Sequence, residues 1–95
     1  LEQHLLFFDD IARLDDRSIQ KLLREIDNRD LVVALSRAGQ ETRDAVFRNL
    51  SRRASSMLED DLRVVGTPSE EKVDECRGTV LDVLRTLIQD GGIVL

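Results

Sequence analysis

Tryptophan and tyrosine are missing from this 95-residue chain, and phenylalanine appears only three times. A β-sandwich built on aromatic and β-branched pairs is therefore disfavoured, and any core must be aliphatic. There is one cysteine, Cys76, so no internal disulfide can form and nothing points to an oxidising compartment. No apolar run approaches the ~20 residues needed to span a bilayer, and no signal-peptide pattern opens the chain. The expectation is a domain facing the cytoplasm or another aqueous compartment, without direct membrane insertion. With no initiating Met, the chain reads as part of a longer polypeptide.

Scarcity also limits the chemistry. His4 is the sole histidine and lies at the N-terminus, so a nucleophilic arrangement that needs a histidine base has no ordered partner. Cys76 falls on an apolar stripe and reads as a small buried hydrophobe. The doublets Asp9-Asp10, Asp15-Asp16 and Asp60-Asp61 point about 100° apart on a helix, so they neither converge on a metal nor form an acid/base pair. Gly91-Gly92 lacks the strand-loop-helix setting of a phosphate cradle and reads as a helix stop. No catalytic residue, metal site or cofactor is expected.

What the chain does contain is charge: nineteen acidic and fourteen basic residues, a net of −5. That balance opposes the counterion release that drives nucleic-acid binding. Apolar residues make up 41% of the chain, enough for one modest core, and they recur mostly at helical spacing. Six helices are predicted. A short one covers Phe7 to Ile11, and the second runs from about Asp16 to Ile26 with Asp15 as its N-cap and Ile19, Leu22, Leu23 and Ile26 on one face. The third spans about Arg29 to Arg37; its run Leu31-Val32-Val33-Ala34-Leu35 could equally be a buried strand by composition, but its neighbours favour helix. The fourth covers about Glu41 to Asn49. Ser51 then caps a fifth helix that stops at Gly66, and after the turn Gly66-Thr67-Pro68-Ser69 the last helix is capped by Ser69 and reaches about Gln89. Its stripe is Val73, Cys76, Val80, Val83 and Leu87.

The fifth helix is the most informative. Ala54, Met57, Leu58, Leu62 and Val65 are expected to form its buried stripe, with Arg53, Ser56 and Asp60 to one side and Asp61 near the edge. Arg53 and Asp60 are seven residues apart, which two turns bring to nearly the same bearing. Taken alone, such a face reads as solvated surface with weak ion pairs.

Several runs carry a family resemblance. Leu14-Asp15-Asp16-Arg17-Ser18-Ile19-Gln20-Lys21-Leu22-Leu23-Arg24-Glu25-Ile26-Asp27, Ala34-Leu35, Asn49-Leu50-Ser51-Arg52-Arg53-Ala54, Asp60-Asp61-Leu62 and Gly91-Gly92-Ile93-Val94-Leu95 occur in order and at the right spacing. The chain resembles the C-terminal domain of the bacterial flagellar rotor family FliG. The opening Leu5-Leu6-Phe7-Phe8-Asp9-Asp10-Ile11 is similar to that family's hinge segment, with Leu5 and Leu6 in place of its first two residues. The resemblance divides the chain into residues 1–12, a hinge-like segment with a short helix, and 13–95, an all-α rotor domain.

It also implies a non-enzymatic role in the flagellar motor switch complex, at the cytoplasmic face of the inner membrane in the basal body. Arg53, Asp60 and Asp61 match the family charges that face the cytoplasmic loop of the stator protein MotA and help transmit torque. Two further family charges are replaced, one by Ser36, with Arg37 one step later as a candidate substitute, and one by Ser69. These losses leave open a FliG-like paralogue with a weakened stator contact and a structural or regulatory role. Phe7 and Phe8 match the hinge, one expected to pack on the bundle and the other to be left for a neighbour. Through the complete protein the resemblance implies contacts with FliM, FliF and neighbouring FliG subunits.

Overall fold

Four of the five α-helices begin where a short polar side chain accepts a hydrogen bond from an otherwise unpaired first-turn amide. In the computed structural model, which describes residues 7–93, those caps are Asp15 for α1 (Asp16–Glu25), Asp27 for α2 (Asn28–Leu35), Ser51 for α4 (Arg52–Val65) and Ser69 for α5 (Glu70–Gln89). The helix α3 (Gln40–Arg48) starts after Gly39 without such a cap. A 3-10 helix, Phe8–Arg13, precedes them all, and no strand occurs among the described residues. Two of the stops are glycines in the left-handed region, Gly66 at φ 65° and Gly91 at φ 81°, a conformation glycine adopts without steric penalty.

The ambiguous run Leu31–Leu35 is helical, and all five of its side chains are buried. The reason is position: α2 packs against α5 and also against α4, which leaves only its first turn, Asn28 and Arg29, open to water. Phe8 and Ile11 from the 3-10 helix, Ile19 and Leu22 from α1, Ala45 and Val46 from α3, and Val73, Val80 and Leu84 from α5 join them in the core. On α5 the expected stripe holds for Val73, Cys76 and Val80, but Leu81 and Leu84 take the buried places further on, while Val83 and Leu87 are half-buried. A strict three-four spacing drifts by ~20° per heptad around a straight helix, so its later members leave the face in contact with α2.

Beyond α5 the chain turns back on itself. The amides of Gly92 and Ile93 both donate to the Leu87 carbonyl at 2.8 and 3.2 Å, Ile93 enters the core, and Lys21 Nζ donates to the Gly92 carbonyl at 2.6 Å. The glycine pair is thus a helix stop that returns an apolar residue to α1. Val94 and Leu95 lie outside the described residues, as do His4, Leu5 and Leu6.

One polar network ties α1 to α3. Asp16 Oδ1 accepts from Asn49 Nδ2 at 3.0 Å and Arg48 Nε at 3.1 Å, while Asn49 Oδ1 accepts from Gln20 at 2.9 Å. Hydrogen bonds from Asn49 and Arg48 hold the Asp16 carboxyl below its ordinary value, and bonds from Ser18 do the same for Asp15. A carboxyl more acidic in the folded chain contributes stability above its unfolded pKa and loses it as pH falls through the folded one. Thermal midpoints are therefore expected to decline below about pH 4. Asp16→Asn should flatten that acid limb; an unchanged limb would show that this network does not couple to folding.

Candidate functional site

The fourteen residues of α4 bury one side chain, Leu58, at 2% exposure. Ala54, Ser55, Asp61, Leu62 and Val65 are half-buried beside it, and the rest of the helix is open to solvent. A helix held along so narrow a line presents most of its circumference to a partner. The expected stripe needs one correction. Met57 is 60% exposed, because α4 meets the bundle on the side of Leu58 and the next residue back points about 100° away.

Charges occupy the open side. Arg53 is exposed and makes no salt bridge among the described residues. Asp60 is exposed and accepts from Arg63 Nη1 at 2.9 Å, one turn along the same helix. Asp61 is half-buried and accepts from Asn28 Nδ2 at 3.1 Å, which ties α4 to the start of α2. Its partner is a neutral amide, and Arg29 lines the same notch without forming a salt bridge to it among the described residues. Arg52 and Arg53 also sit in the first turn of α4, where the helix dipole favours acidic side chains. Each such placement costs about 0.3–1 kcal/mol or less, so the arrangement is not the one stability alone would select.

The remaining sequence candidates are placed differently. Arg37 is exposed just beyond α2, and its Nη2 donates to the Pro68 carbonyl at 3.3 Å, which directs it to the α4–α5 turn. Ser36 turns its hydroxyl back to the Val33 carbonyl at 2.6 Å, and Ser69 caps α5. Both positions thus carry local backbone bonds. Arg43, which had no sequence signal, closes the end of α2 by donating to the carbonyls of Leu35 and Ser36 at 3.1 and 2.9 Å. It lines an open groove with Ser36, Glu59 and Leu62. Asn28 and Arg63, the partners of the two aspartates, also escaped the sequence reading; the Asp60–Arg63 pair was available from its three-residue spacing on one helix, whereas the Asn28–Asp61 contact exists only in the folded chain.

Phe7 and Phe8 divide as expected of their burial. Phe8 is 4% exposed, with the Arg77 guanidinium 5.1 Å from its ring centre, and Arg77 Nε also donates to the Ala34 carbonyl at 3.3 Å. Phe7 is 70% exposed. Cys76 is buried, and burial, followed by the neighbouring Asp30, pushes its thiol up, away from the reactive thiolate. Among the described residues no cluster of His, Cys, Asp or Glu is placed to hold a metal ion, and no helix is long and apolar enough to cross a membrane.

This charged helix, its caps and the terminal glycine stop lie within a sequence that the FliG C-terminal domain family model matches from residue 1 to residue 95. The chain belongs to the FliG C-terminal domain family. It is 39% identical over 95 residues to the flagellar motor switch protein FliG of Thermotoga maritima and 37% identical over 95 residues to that of Borreliella burgdorferi. Each comparison covers 100% of this chain but 28% of the relative, so the chain spans little more than a quarter of their length. The crystal structure of residues 86–343 of FliG from H. pylori superposes with a TM-score of 0.92 at 26% identity, covering 95% of this chain and 42% of that one. Full-length FliG from Aquifex aeolicus gives 0.86 at 26% identity, covering 92% and 27%. The all-α architecture is the FliG C-terminal fold.

Proposed function

We propose that this domain is a non-enzymatic rotor component of the bacterial flagellar motor switch complex, receiving torque through charged contacts between α4 and the cytoplasmic loop of the stator protein MotA. The observation that carries the reading is the exposure of α4: a helix anchored by Leu58, with Leu62 and Val65 half-buried beside it, displays Arg53 and Asp60 to solvent, with Asp61 at the edge. Exposed charges steer and register a partner without a deep apolar contact, and so allow rapid release between engagements. Arg37, exposed at the α4–α5 turn, would add a charge near the C-terminal end of α4. Phe7, open to solvent beside the anchored Phe8, serves a hinge to the preceding part of the polypeptide. Contacts with FliM, FliF and neighbouring FliG subunits belong to the complete protein, at the cytoplasmic face of the inner membrane.

The test is restoration of swimming in a strain whose own copy is deleted. Arg53→Glu in the complete protein is expected to impair swimming while leaving far-UV circular dichroism unchanged, and a matching charge reversal in the stator loop should recover part of the loss. Normal swimming of a folded Arg53→Glu protein would remove this residue from the contact. A second reading rests on Ser36 and Ser69, which stand where the family resemblance places charges and instead bond to backbone. It makes the chain a FliG-like paralogue with a weakened stator contact and a structural or regulatory role. Failure of the wild-type protein to restore swimming, despite stable accumulation, would favour it.

A further inference from the structure

The exposed side of α4 is not purely polar. Of the three large apolar side chains exposed among the described residues, two are on this helix, Met57 at 60% and Val64 at 86%. They are seven residues apart and therefore share a bearing. Arg53 lies four residues before Met57, Asp61 four after it, and Asp60 four before Val64, so all five project within an arc of about 100°. Single exposed apolar residues are ordinary, but this pair occupies the middle of the charged stripe. Val64 also borders a shallow notch between α4 and the start of α2, lined by Val32 and Val65 with Asp27, Arg29 and Asp61 at its rim. A β-branched residue at an exposed helical position gains neither from burial nor from helix propensity.

From this juxtaposition we infer that the stator contact includes an apolar anchor: Met57 and Val64 receive an aliphatic side chain from an amphipathic helix of the partner, which carries a basic residue about one turn to either side. The charge pattern selects that occupant. Asp60, paired with Arg63, lies on one flank of the apolar pair and Asp61, with Asp27 and Arg29 beyond it, on the other, so basic residues flanking the inserted side chain meet a carboxylate on each side. Arg53, at the N-terminal end of the stripe, fixes direction by repelling a misplaced cation. The inference rests on the stator reading of α4 and adds a component that salt does not screen. Charges govern approach, and the apolar pair holds register once water has left.

The experiment measures binding of the complete protein to the purified cytoplasmic loop of MotA, at low salt and at about 1 M salt, where screening confines charge interactions to ~3 Å. Met57→Ser combined with Val64→Thr is expected to weaken binding roughly tenfold, the size expected for losing partial burial of two aliphatic side chains. The loss should persist at high salt. Val64→Ile should bind as well as the wild type, and both variants should unfold at the wild-type temperature, since neither residue is buried. Val64→Thr alone preserves the β-branched shape and serves as the fallback if the double variant proves unstable. If reversal of Asp60 and Asp61 weakens binding while the apolar variants bind normally at both salts, the anchor is refuted and the charged contact stands. If neither set of changes alters binding, the stator reading itself falls, and the anchor with it.

Discussion

Leu58→Asp is expected to destabilise the domain by about 4 kcal/mol, a large share of the ~5–15 kcal/mol that holds a typical domain together. Leu58 is the only fully buried residue of α4 and sits in the core, with Leu62 and Val65 half-buried beside it, so it is the central anchor of this helix on the bundle. Removing a buried leucine costs about 2–5 kcal/mol by itself, and the introduced carboxylate must also be desolvated or drive the helix off the bundle. Thermal or urea unfolding followed by circular dichroism measures the loss. The paired control is Met57→Asp, one residue away in sequence and 60% exposed, for which a change within about 0.5 kcal/mol is expected. Equal effects from the two substitutions would mean that α4 does not pack through Leu58.

Reversing Asp60 and Asp61 together to Lys is expected to abolish swimming while leaving a folded domain. The stability cost divides unequally between the two. Asp60 loses an exposed pair with Arg63, worth about 0–1 kcal/mol, whereas Asp61 also gives up its bond from Asn28 across to α2, roughly 0.5–1.5 kcal/mol more. The motility cost should be shared, because in the proposed contact either lysine would set like charge against basic residues of the partner. Asp61→Asn separates the two roles of that residue: its amide oxygen still accepts from Asn28, but the charge is gone. Stability near wild type with impaired swimming would assign Asp61 to the contact. If the folded double reversal swims normally in an otherwise unaltered motor, these charges do not carry torque, and the paralogue reading replaces the rotor reading.

The contrast between Met57 and Leu58 shows where sequence reasoning reaches its limit. Helical spacing admits both into an apolar stripe, because a stripe is drawn wide enough to cover several adjacent bearings. Which bearing meets the bundle depends on how α4 lies against α2, and no local signal encodes that. The same holds at α5, where Leu81 and Leu84 displaced Val83 and Leu87 from the buried face. The reverse case is α2: composition left its five-residue apolar run open between strand and helix, and burial between two neighbouring helices accounts for its unbroken hydrophobicity.

Helix starts and stops were legible in the chain because they are local. Asp15, Ser51 and Ser69 bond to amides three residues on, and Gly66 adopts a backbone conformation that depends only on its missing side chain. The shortage of aromatics and the three- and four-residue spacing determined the all-α class for the same kind of reason. Partners distant in sequence were another matter. Asp61 with Asn28, Asp16 with Asn49, and Arg77 over Phe8 join positions 33, 33 and 69 residues apart, and they exist only after the helices have packed. So the sequence by itself determined the capped helix ends and the charges on α4; the tertiary structure decided which bearing of α4 meets the bundle and which distant partner Asp61 finds, because both are set by what the fold brings near.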